Sequence, residues 1–228
     1  LLLPASGEYQ VSELIASAPT ASRPYEGQLL VELEVPAKGT RILRISTAST
    51  AETCRVALRA GWNLVALPGA PASPRLADLV APIVGRISRL YAYDAIAQRW
   101  LAYNIQQPAA GEIQTIQPWQ ALWVHATEDV AWDIACTSLA QVTIPLQRGW
   151  NLVGLPLNGS VEIVQAVGGL GGRLQSVMTY DGATPAAPWR TYSPGALAGE
   201  ATLTRFEMGR GYWVRMSEAA TWSVAAQP

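Results

Sequence analysis

The stretch G-W-N-L-V-A-L-P at residues 61–68 returns as G-W-N-L-V-G-L-P at residues 149–156. Further aromatic residues recur after each copy, always at a separation of 87 to 90 residues. Similarity at a fixed spacing is the signature of a duplicated structural unit. The sequence therefore predicts two homologous modules in tandem, at residues 56–136 and 137–228, preceded by a separate N-terminal β element at residues 1–55.

Tryptophan follows this repeat closely. Eight of the nine tryptophans fall into matched pairs, which are Trp62 with Trp150, Trp100 with Trp189, Trp123 with Trp213, and Trp132 with Trp222. A buried indole removes on the order of 150–250 Å² from water, so small β-rich modules depend on such side chains. We therefore predict that the eight paired tryptophans form the core of the two repeats. If several of them instead lay exposed on one face, they would form a groove on which sugar rings stack.

The apolar patterns inside each repeat predict a mainly β fold. The opening stretch is apolar on both faces, as expected for a strand that is covered on both sides. One short helix follows in each repeat, beginning after Ser73-Pro74 in the first and near Val161 in the second. Alternating segments then predict about four further strands per repeat. Asn63 and Asn151, each next to a tryptophan, are expected to be buried amides that hydrogen-bond the neighbouring backbone.

The N-terminal element reads differently, since residues 1–55 contain no tryptophan. Residues 28–35 alternate between apolar and polar side chains, and residues 40–46 follow after a Pro- and Gly-containing turn, which predicts a hairpin. Residues 9–15 are a candidate third strand. Because a lone hairpin is only marginally stable, this element should pack on the first repeat, belong to an incomplete sandwich, or pair with a neighbouring chain.

Composition limits the partners of the chain. Only 14% of the residues are charged and the net charge is −1, so no basic surface for nucleic acid or anionic lipid is expected. No apolar run approaches the roughly 20 residues of a membrane-spanning helix, so no membrane insertion is expected. A surface built from uncharged polar residues is typical of a secreted or assembling protein. The start at Leu1 instead of methionine suggests a processed or excised product.

The two cysteines lie shortly before the two copies of the opening stretch. Cys54 and Cys136 could form a disulfide, which an even cysteine count in an extracellular chain favours, or remain two buried free thiols. The sequence leaves this choice open. No C-x-x-C pair is present, so neither a zinc site nor a redox motif is predicted.

Two aromatic residues are candidate binding contacts. Trp119 is the one tryptophan without a partner, because the equivalent position is Gly209. It follows Pro118 in a loop, where binding and plain loop packing are both reasonable. Tyr212 could join it in a contact patch, although the apolar Leu122 at the equivalent position argues for burial.

No catalytic, cofactor-binding or metal-binding residue is predicted, and the chain is expected not to be an enzyme. His125 is the only histidine, and no G-x-S-x-G motif accompanies it, so it is read as a strand histidine that faces solvent. Asp94 and Asp181 each follow a tyrosine at a strand end, where a carboxylate accepts backbone N–H groups in a turn. No D-x-D-x-D spacing indicates calcium.

The pattern G-W-N-L-V-G-L-P, a short helix, Y-D, W-x-x-Y, G-x-G-Y-W-V and W-x-V resembles a repeat of secreted and cell-surface proteins of bacteria and archaea. The second copy matches better, because the first departs from it at residues 118–122. The resemblance implies an extracellular surface module without catalytic residues. Residues 35–40 resemble part of an immunoglobulin-like domain.

These observations favour a non-enzymatic structural or adhesive component located outside the cell or at its surface. Duplication builds extended surfaces more readily than active sites. Through strand pairing by residues 1–55, the chain could self-assemble or join other surface proteins in a filament or layer. The alternative is a carbohydrate-binding accessory module, with polysaccharide as partner, from a larger secreted enzyme.

Overall fold

The computed structural model describes the backbone of residues 7–13, 21–25 and 43–47, and the backbone with side chains over residues 52–157, 159–197 and 200–225. By its contacts the chain divides into two compact units, Leu1–Thr50 and Ala51–Pro228. The described residues are mainly β, as the sequence predicted, with two short α-helices.

The first unit contains an antiparallel sheet of three strands, β1 (Gly7–Glu13), β2 (Ala21–Tyr25) and β3 (Leu43–Thr47), in the order β2-β1-β3. The candidate third strand at residues 9–15 overlaps β1, and the predicted strand at residues 40–46 overlaps β3. The predicted strand at residues 28–35 and its turn lie outside the described residues.

The second unit contains both repeats, which follow the same order of elements apart from one additional short strand, residues 205–207, in the second. The strands of the first repeat are β4 (Glu52–Leu58), β5 (Gly61–Ala66), β6 (Ala70–Pro71), β7 (Ile87–Asp94), β8 (Arg99–Ala102), β9 (Ala121–Ala126) and β10 (Val130–Thr137). Those of the second are β11 (Gln141–Leu146), β12 (Gly149–Gly154), β13 (Ser160–Glu162), β14 (Leu174–Tyr180), β15 (Trp189–Tyr192), β16 (Arg205–Glu207), β17 (Gly211–Met216) and β18 (Ala220–Ala225). The short helices are α1 (Leu76–Val80) and α2 (Ile163–Val167), which continue as 3-10 turns over Ala81–Arg86 and Gly168–Arg173.

Each repeat forms a four-stranded antiparallel sheet with the same strand order. In the first repeat the order is β5-β9-β7-β8, and in the second it is β12-β17-β14-β15. The opening stretch of each repeat is thus an edge strand, paired on one side with the strand that carries Trp123 or Trp213. The sequence similarity therefore corresponds to a repeated sheet.

A second layer covers the inner face of each sheet. It consists of the pair β4 and β10 in the first repeat and the pair β11 and β18 in the second, together with the short helix. The centres of the two cores are Trp132 and Trp222, whose exposed fractions are 0% and 1%. Their indole N–H groups donate to the carbonyl oxygens of Leu79 and Ala166, each at 2.7 Å. For this pair of tryptophans the predicted core position is correct.

The two cysteines form a disulfide, which resolves the alternatives that the sequence left open. Cys54 on β4 and Cys136 on β10 are both buried, and their Cα atoms are 5.8 Å apart. The bond links two adjacent strands of the first repeat. In the second repeat the corresponding pair, β11 and β18, is held by backbone pairing without a disulfide.

Asn63 and Asn151 perform the backbone role that the sequence predicted, but only Asn151 is fully buried, as was expected of both. The Asn63 side chain accepts from the N–H of Arg59 at 2.9 Å and donates to its carbonyl oxygen at 2.8 Å. Asn151 makes the same two bonds with Gln147, at 2.7 and 2.8 Å. Each amide thereby fixes the tight turn that leads into the opening strand.

Candidate functional site

The two four-stranded sheets meet through their outer faces. Successive side chains on a strand point to opposite faces, so Val65 lies in the first core while Leu64 and Ala66 point away from it. A small separate cluster of buried side chains forms between the sheets from Leu64, Ala66, Ala121 and Leu152. The described residues of the second unit therefore form three apolar clusters, one inside each repeat and one between them.

The contact between the sheets is nearly symmetric. An isolated antiparallel bridge pairs Val65 with Arg210, and a second one pairs Val153 with Gln120. These four residues occupy equivalent positions in the two repeats. The amide of Ala66 donates to the carbonyl of Gly209 at 3.0 Å, and the equivalent amide of Gly154 donates to the carbonyl of Trp119 at 2.8 Å. The repeats are thus related as the two subunits of an isologous dimer would be.

Small residues meet where the sheets approach most closely. A methyl group on Gly154 would overlap the Cβ of Ala66, and these two residues are the equivalent positions of the two repeats. In the same way, a Cβ on Gly211 would lie 2.8 Å from the Cβ of Ala121, its own counterpart. At both positions the space holds only one Cβ atom, so an alanine in one repeat meets a glycine in the other. This explains why the two copies differ there.

Six of the eight paired tryptophans lie on these outer faces, not in the cores of the repeats. Trp62, Trp100 and Trp189 are 39%, 46% and 42% exposed, and Trp123, Trp150 and Trp213 are half-buried. The prediction of a core position is therefore wrong for these six residues. Strand alternation places them on the side away from each core, and only the other repeat covers part of that side.

The aromatic contacts between the repeats are reciprocal. The ring of Trp123 lies 5.1 Å from that of Tyr180, and the equivalent ring of Trp213 lies 4.9 Å from that of Tyr93, centroid to centroid. Trp213 also contacts Trp100 at 5.4 Å. Edge-to-face and tilted ring pairs of this kind contribute roughly 0.5–1.5 kcal/mol each beyond their buried area.

At one end of this interface the rings separate and leave an open cavity of about 500 Å³. We call it the aromatic cleft; its walls are Trp62, Tyr91, Trp100, Trp123 and Tyr180. Four of the five residues belong to the first repeat, and Tyr180 belongs to the second. The cleft therefore depends on the pairing of the two repeats.

A polar groove of about 800 Å³ adjoins the aromatic cleft along β7. Tyr91 lines both cavities. The polar residues of the groove are Ser88, Arg89, Asn104, Gln106 and Glu112. Arg89 is exposed and makes no ion pair with any described residue.

Glu112 is the acidic group of the polar groove. Its carboxylate accepts from the guanidinium of Arg99 at 2.7 Å and from the amide of Ala102 at 2.9 Å. The Ala102 amide, followed by the Arg99 guanidinium, holds the pKa of Glu112 below its ordinary value, against a smaller opposing effect of burial. Glu112 is therefore ionised at neutral pH, and each of its oxygens keeps a lone pair for a further donor.

His125 is placed beside the aromatic cleft. Its ring packs edge-on against Trp62, with the centroids 5.0 Å apart, and its Nδ1 is 2.7 Å from the hydroxyl oxygen of Ser88. The sequence did not predict this serine–histidine pair, because the two residues are 37 positions apart and meet only through pairing of β7 with β9. Within the described chain no carboxylate hydrogen-bonds the imidazole, so the pair lacks the third member of a catalytic triad.

Neither predicted binding contact forms part of the cleft. Trp119 is partly buried and packs against the core of the second repeat. Tyr212 is fully buried, so its predicted contact role is wrong. The Tyr212 hydroxyl accepts from the amide of Glu207 at 2.6 Å, and burial raises the pKa of this phenol far above its ordinary value. Its neighbour Trp213 carries the interface contact, since adjacent strand residues face opposite ways.

The two turn aspartates differ in their surroundings. Asp94 accepts from the amides of Ile96 and Ala97 at 2.9 and 3.0 Å, as predicted for a turn. Asp181 accepts from the amide of Ala183 at 3.0 Å, and it also pairs with the guanidiniums of Arg190 and Arg210 at 3.0 and 3.5 Å.

Burial raises the pKa of Asp181, but the Ala183 amide and the two guanidiniums together lower it by more. The pKa of Asp181 is therefore below its ordinary value. Arg210 is also the residue that bridges to Val65 of the first repeat. The Asp181 ion pairs therefore lie at the junction between the repeats.

Among the described residues, no group of three or more His, Cys, Asp or Glu side chains is arranged to hold a metal ion. None of the described helices has the length and apolar character needed to cross a bilayer. Comparison with protein-family models gives no match, and neither curated proteins nor solved structures show significant similarity to the chain.

Proposed function

We propose that the chain is a non-enzymatic carbohydrate-binding module that holds a sugar in the aromatic cleft. The sequence favoured a structural or adhesive component and gave a carbohydrate-binding module as the alternative. The proposal adopts that alternative. The observation that carries it is the open cavity walled by five aromatic rings, with Trp62 and Trp100 39% and 46% exposed. Ligand pockets are typically concave and lined by apolar and aromatic side chains, and exposed apolar patches mark interaction sites.

The composition of the site favours a sugar as the occupant. The flat C–H face of a pyranose packs against an indole or phenol ring, while its edge carries hydroxyl groups that both donate and accept hydrogen bonds. The aromatic cleft offers the rings, and the adjoining polar groove offers donors such as Arg89 and the acceptor Glu112.

A proline-rich peptide is the main competing occupant, because such peptides also dock in aromatic grooves. Proline has no backbone N–H, so a proline-rich segment presents mainly carbonyl acceptors. Its carbonyl groups could accept from Arg89. It has few N–H groups to donate to the remaining lone pairs of Glu112, whereas a sugar has a hydroxyl on almost every carbon. The presence of both kinds of partner in the groove therefore favours carbohydrate.

An extracellular or cell-surface location accompanies this proposal. It is supported by the disulfide, because disulfides persist in oxidising compartments, and by the low content of charged residues. An adhesive role is compatible with it, since a surface module can attach by holding polysaccharide. The self-assembly through residues 1–55 expected from the sequence remains a separate proposal.

The test is direct binding with a matched pair of variants. The whole chain is titrated calorimetrically with a panel of oligosaccharides, which includes β-1,4-linked glucose and N-acetylglucosamine oligomers, and with a proline-rich peptide. Trp62→Ala should weaken oligosaccharide binding by about tenfold or more, which corresponds to roughly 1.4 kcal/mol. Trp150→Ala removes the equivalent tryptophan, which is outside the cavity walls, and should change the affinity less than about twofold.

Two results would contradict the proposal. Binding of the peptide without binding of any oligosaccharide would identify a peptide-binding module instead. Equal losses in the two variants would show that the aromatic cleft is not the site. Circular dichroism of each variant shows whether the fold is retained.

A further inference from the structure

The aromatic cleft and the polar groove are adjacent. Tyr91 on β7 lines both cavities. The two cavities have volumes of about 500 and 800 Å³ and differ in chemistry. All five walls of the first are aromatic, whereas the second combines a cation, an anion, amides and a hydroxyl with aliphatic side chains.

Building on the proposed function, we infer that the ligand is a polysaccharide chain that extends over Tyr91, with one sugar unit in the aromatic cleft and further units in the polar groove. A single sugar or a small apolar molecule would use the first cavity only. A chain of sugars presents C–H faces and hydroxyl edges along its length, and both surfaces are needed here.

The polar groove contains groups whose hydrogen-bonding capacity is only partly used. Arg89 has no ion-pair partner among the described residues, and Gln106 makes no side-chain bond to them. In contrast, the Asn104 side chain already accepts from the amides of Gln106 and Gln107, at 3.1 and 2.8 Å. Arg89 and Gln106 are therefore the specificity-determining residues of the groove, and Asn104 shapes the loop that carries Gln106.

The groove also extends beyond the end of β8. Strand β8 pairs with residues 91–94 of β7, and the first half of β7 has no strand on that side within the described chain. The loop that follows β8 returns to this edge, where the amide of Tyr103 donates to the carbonyl of Leu90 at 3.0 Å. The polar groove therefore lies between the first half of β7 and the loop that follows β8.

The experiment compares chain lengths in the full protein. Disaccharides and hexasaccharides of the oligomer type that binds best are titrated into the wild type, Arg89→Ala, Gln106→Ala and Trp62→Ala. The hexasaccharide should bind about tenfold more tightly than the disaccharide. Arg89→Ala should weaken hexasaccharide binding about fivefold and Gln106→Ala somewhat less, and both should weaken disaccharide binding by a smaller factor, because a disaccharide places at most one unit in the polar groove. Trp62→Ala should weaken both.

Arg148→Ala is the matched control, because Arg148 is an exposed arginine without a described ion pair and lies outside both cavities. Equal affinity for the two chain lengths, or hexasaccharide binding that is insensitive to Arg89→Ala and Gln106→Ala, overturns the inference and leaves the proposed function standing. Failure of every oligosaccharide to bind overturns both.

Discussion

Trp62 and Trp150 occupy equivalent positions at opposite ends of the paired sheets, but their surroundings differ. Trp62 packs against His125 and forms a wall of the aromatic cleft. Trp150 lies under the guanidinium of Arg215, whose Cζ is 5.5 Å from the ring centroid. The side chain of Gln98 bonds the backbone N–H and carbonyl of Trp150, each at 2.9 Å. Trp62 thus lines an open cavity, whereas Trp150 is contacted by Arg215 and Gln98.

This difference shows how duplication separates two tasks. The same backbone and the same tryptophan serve both ends, because each repeat needs the face of the other to cover its outer rings. Only the side chains around the tryptophan differ, with His125 replaced by Arg215 at the equivalent position and with Gln98 from the turn after β7.

The disulfide is present in the first repeat only, so its removal should affect that repeat most. Replacing both Cys54 and Cys136 by alanine should lower the free energy of unfolding by about 4 kcal/mol, because the bond closes a loop with a sequence separation of 82. Urea denaturation followed by tryptophan fluorescence measures the change. Wild-type protein in reductant is the control and should show a similar loss. A change below about 1 kcal/mol would contradict the expected contribution.

Gly154 meets its equivalent residue Ala66 at the interface, so adding one methyl group there should lower stability strongly. Gly154→Ala should lower the free energy of unfolding by about 3 kcal/mol, because the new Cβ overlaps that of Ala66. The control is Gly85→Ala in the first repeat, where no atom lies within 4 Å of an added Cβ. Thermal denaturation that ranks the two variants equally would be inconsistent with sheets that meet at Gly154.

The two turn aspartates should differ in stability and in pH dependence. Asp181→Asn should cost about 1 kcal/mol at neutral pH, whereas Asp94→Asn, which removes no ion pair, should cost less. Because the pKa of Asp181 is lowered in the folded state, its contribution is complete above the ordinary value of 3.8 and is lost as the pH falls below it.

Urea denaturation of both variants and the wild type, at neutral pH and below pH 3.8, measures this difference. The gap between wild type and Asp181→Asn should narrow in acid. A gap that is constant with pH would mean that the carboxylate charge of Asp181 does not contribute through its arginine partners.

Much of the fold could be predicted from local patterns. Strand alternation, the two short helices, the paired asparagines and the turn aspartates each depend on residues close in sequence, and the structure confirms them. The disulfide was one of two alternatives, because the sequence does not show that β4 and β10 are neighbours. Most residues of the predicted N-terminal hairpin lie outside the described part of the chain.

The site could not be predicted, because it depends on which face of each sheet is covered. Trp213 and Tyr212 are adjacent, and the sequence alone does not show which one enters the core. The repeat of the tryptophans was correctly recognised, but it reflects a shared interface as much as a shared core. The change from Ala66 to Gly154 was visible in the sequence, yet it has meaning only once the two positions are known to touch.

The most direct test of the account is the exchange of these two residues across the interface. Gly154→Ala alone should be destabilising, and the double variant Ala66→Gly with Gly154→Ala should recover all but about 1 kcal/mol of the loss, because one alanine and one glycine again meet. Chemical denaturation of the wild type, both single variants and the double variant gives the coupling energy. A strongly favourable coupling is predicted, and additive losses would contradict the pairing of the repeats through their outer faces.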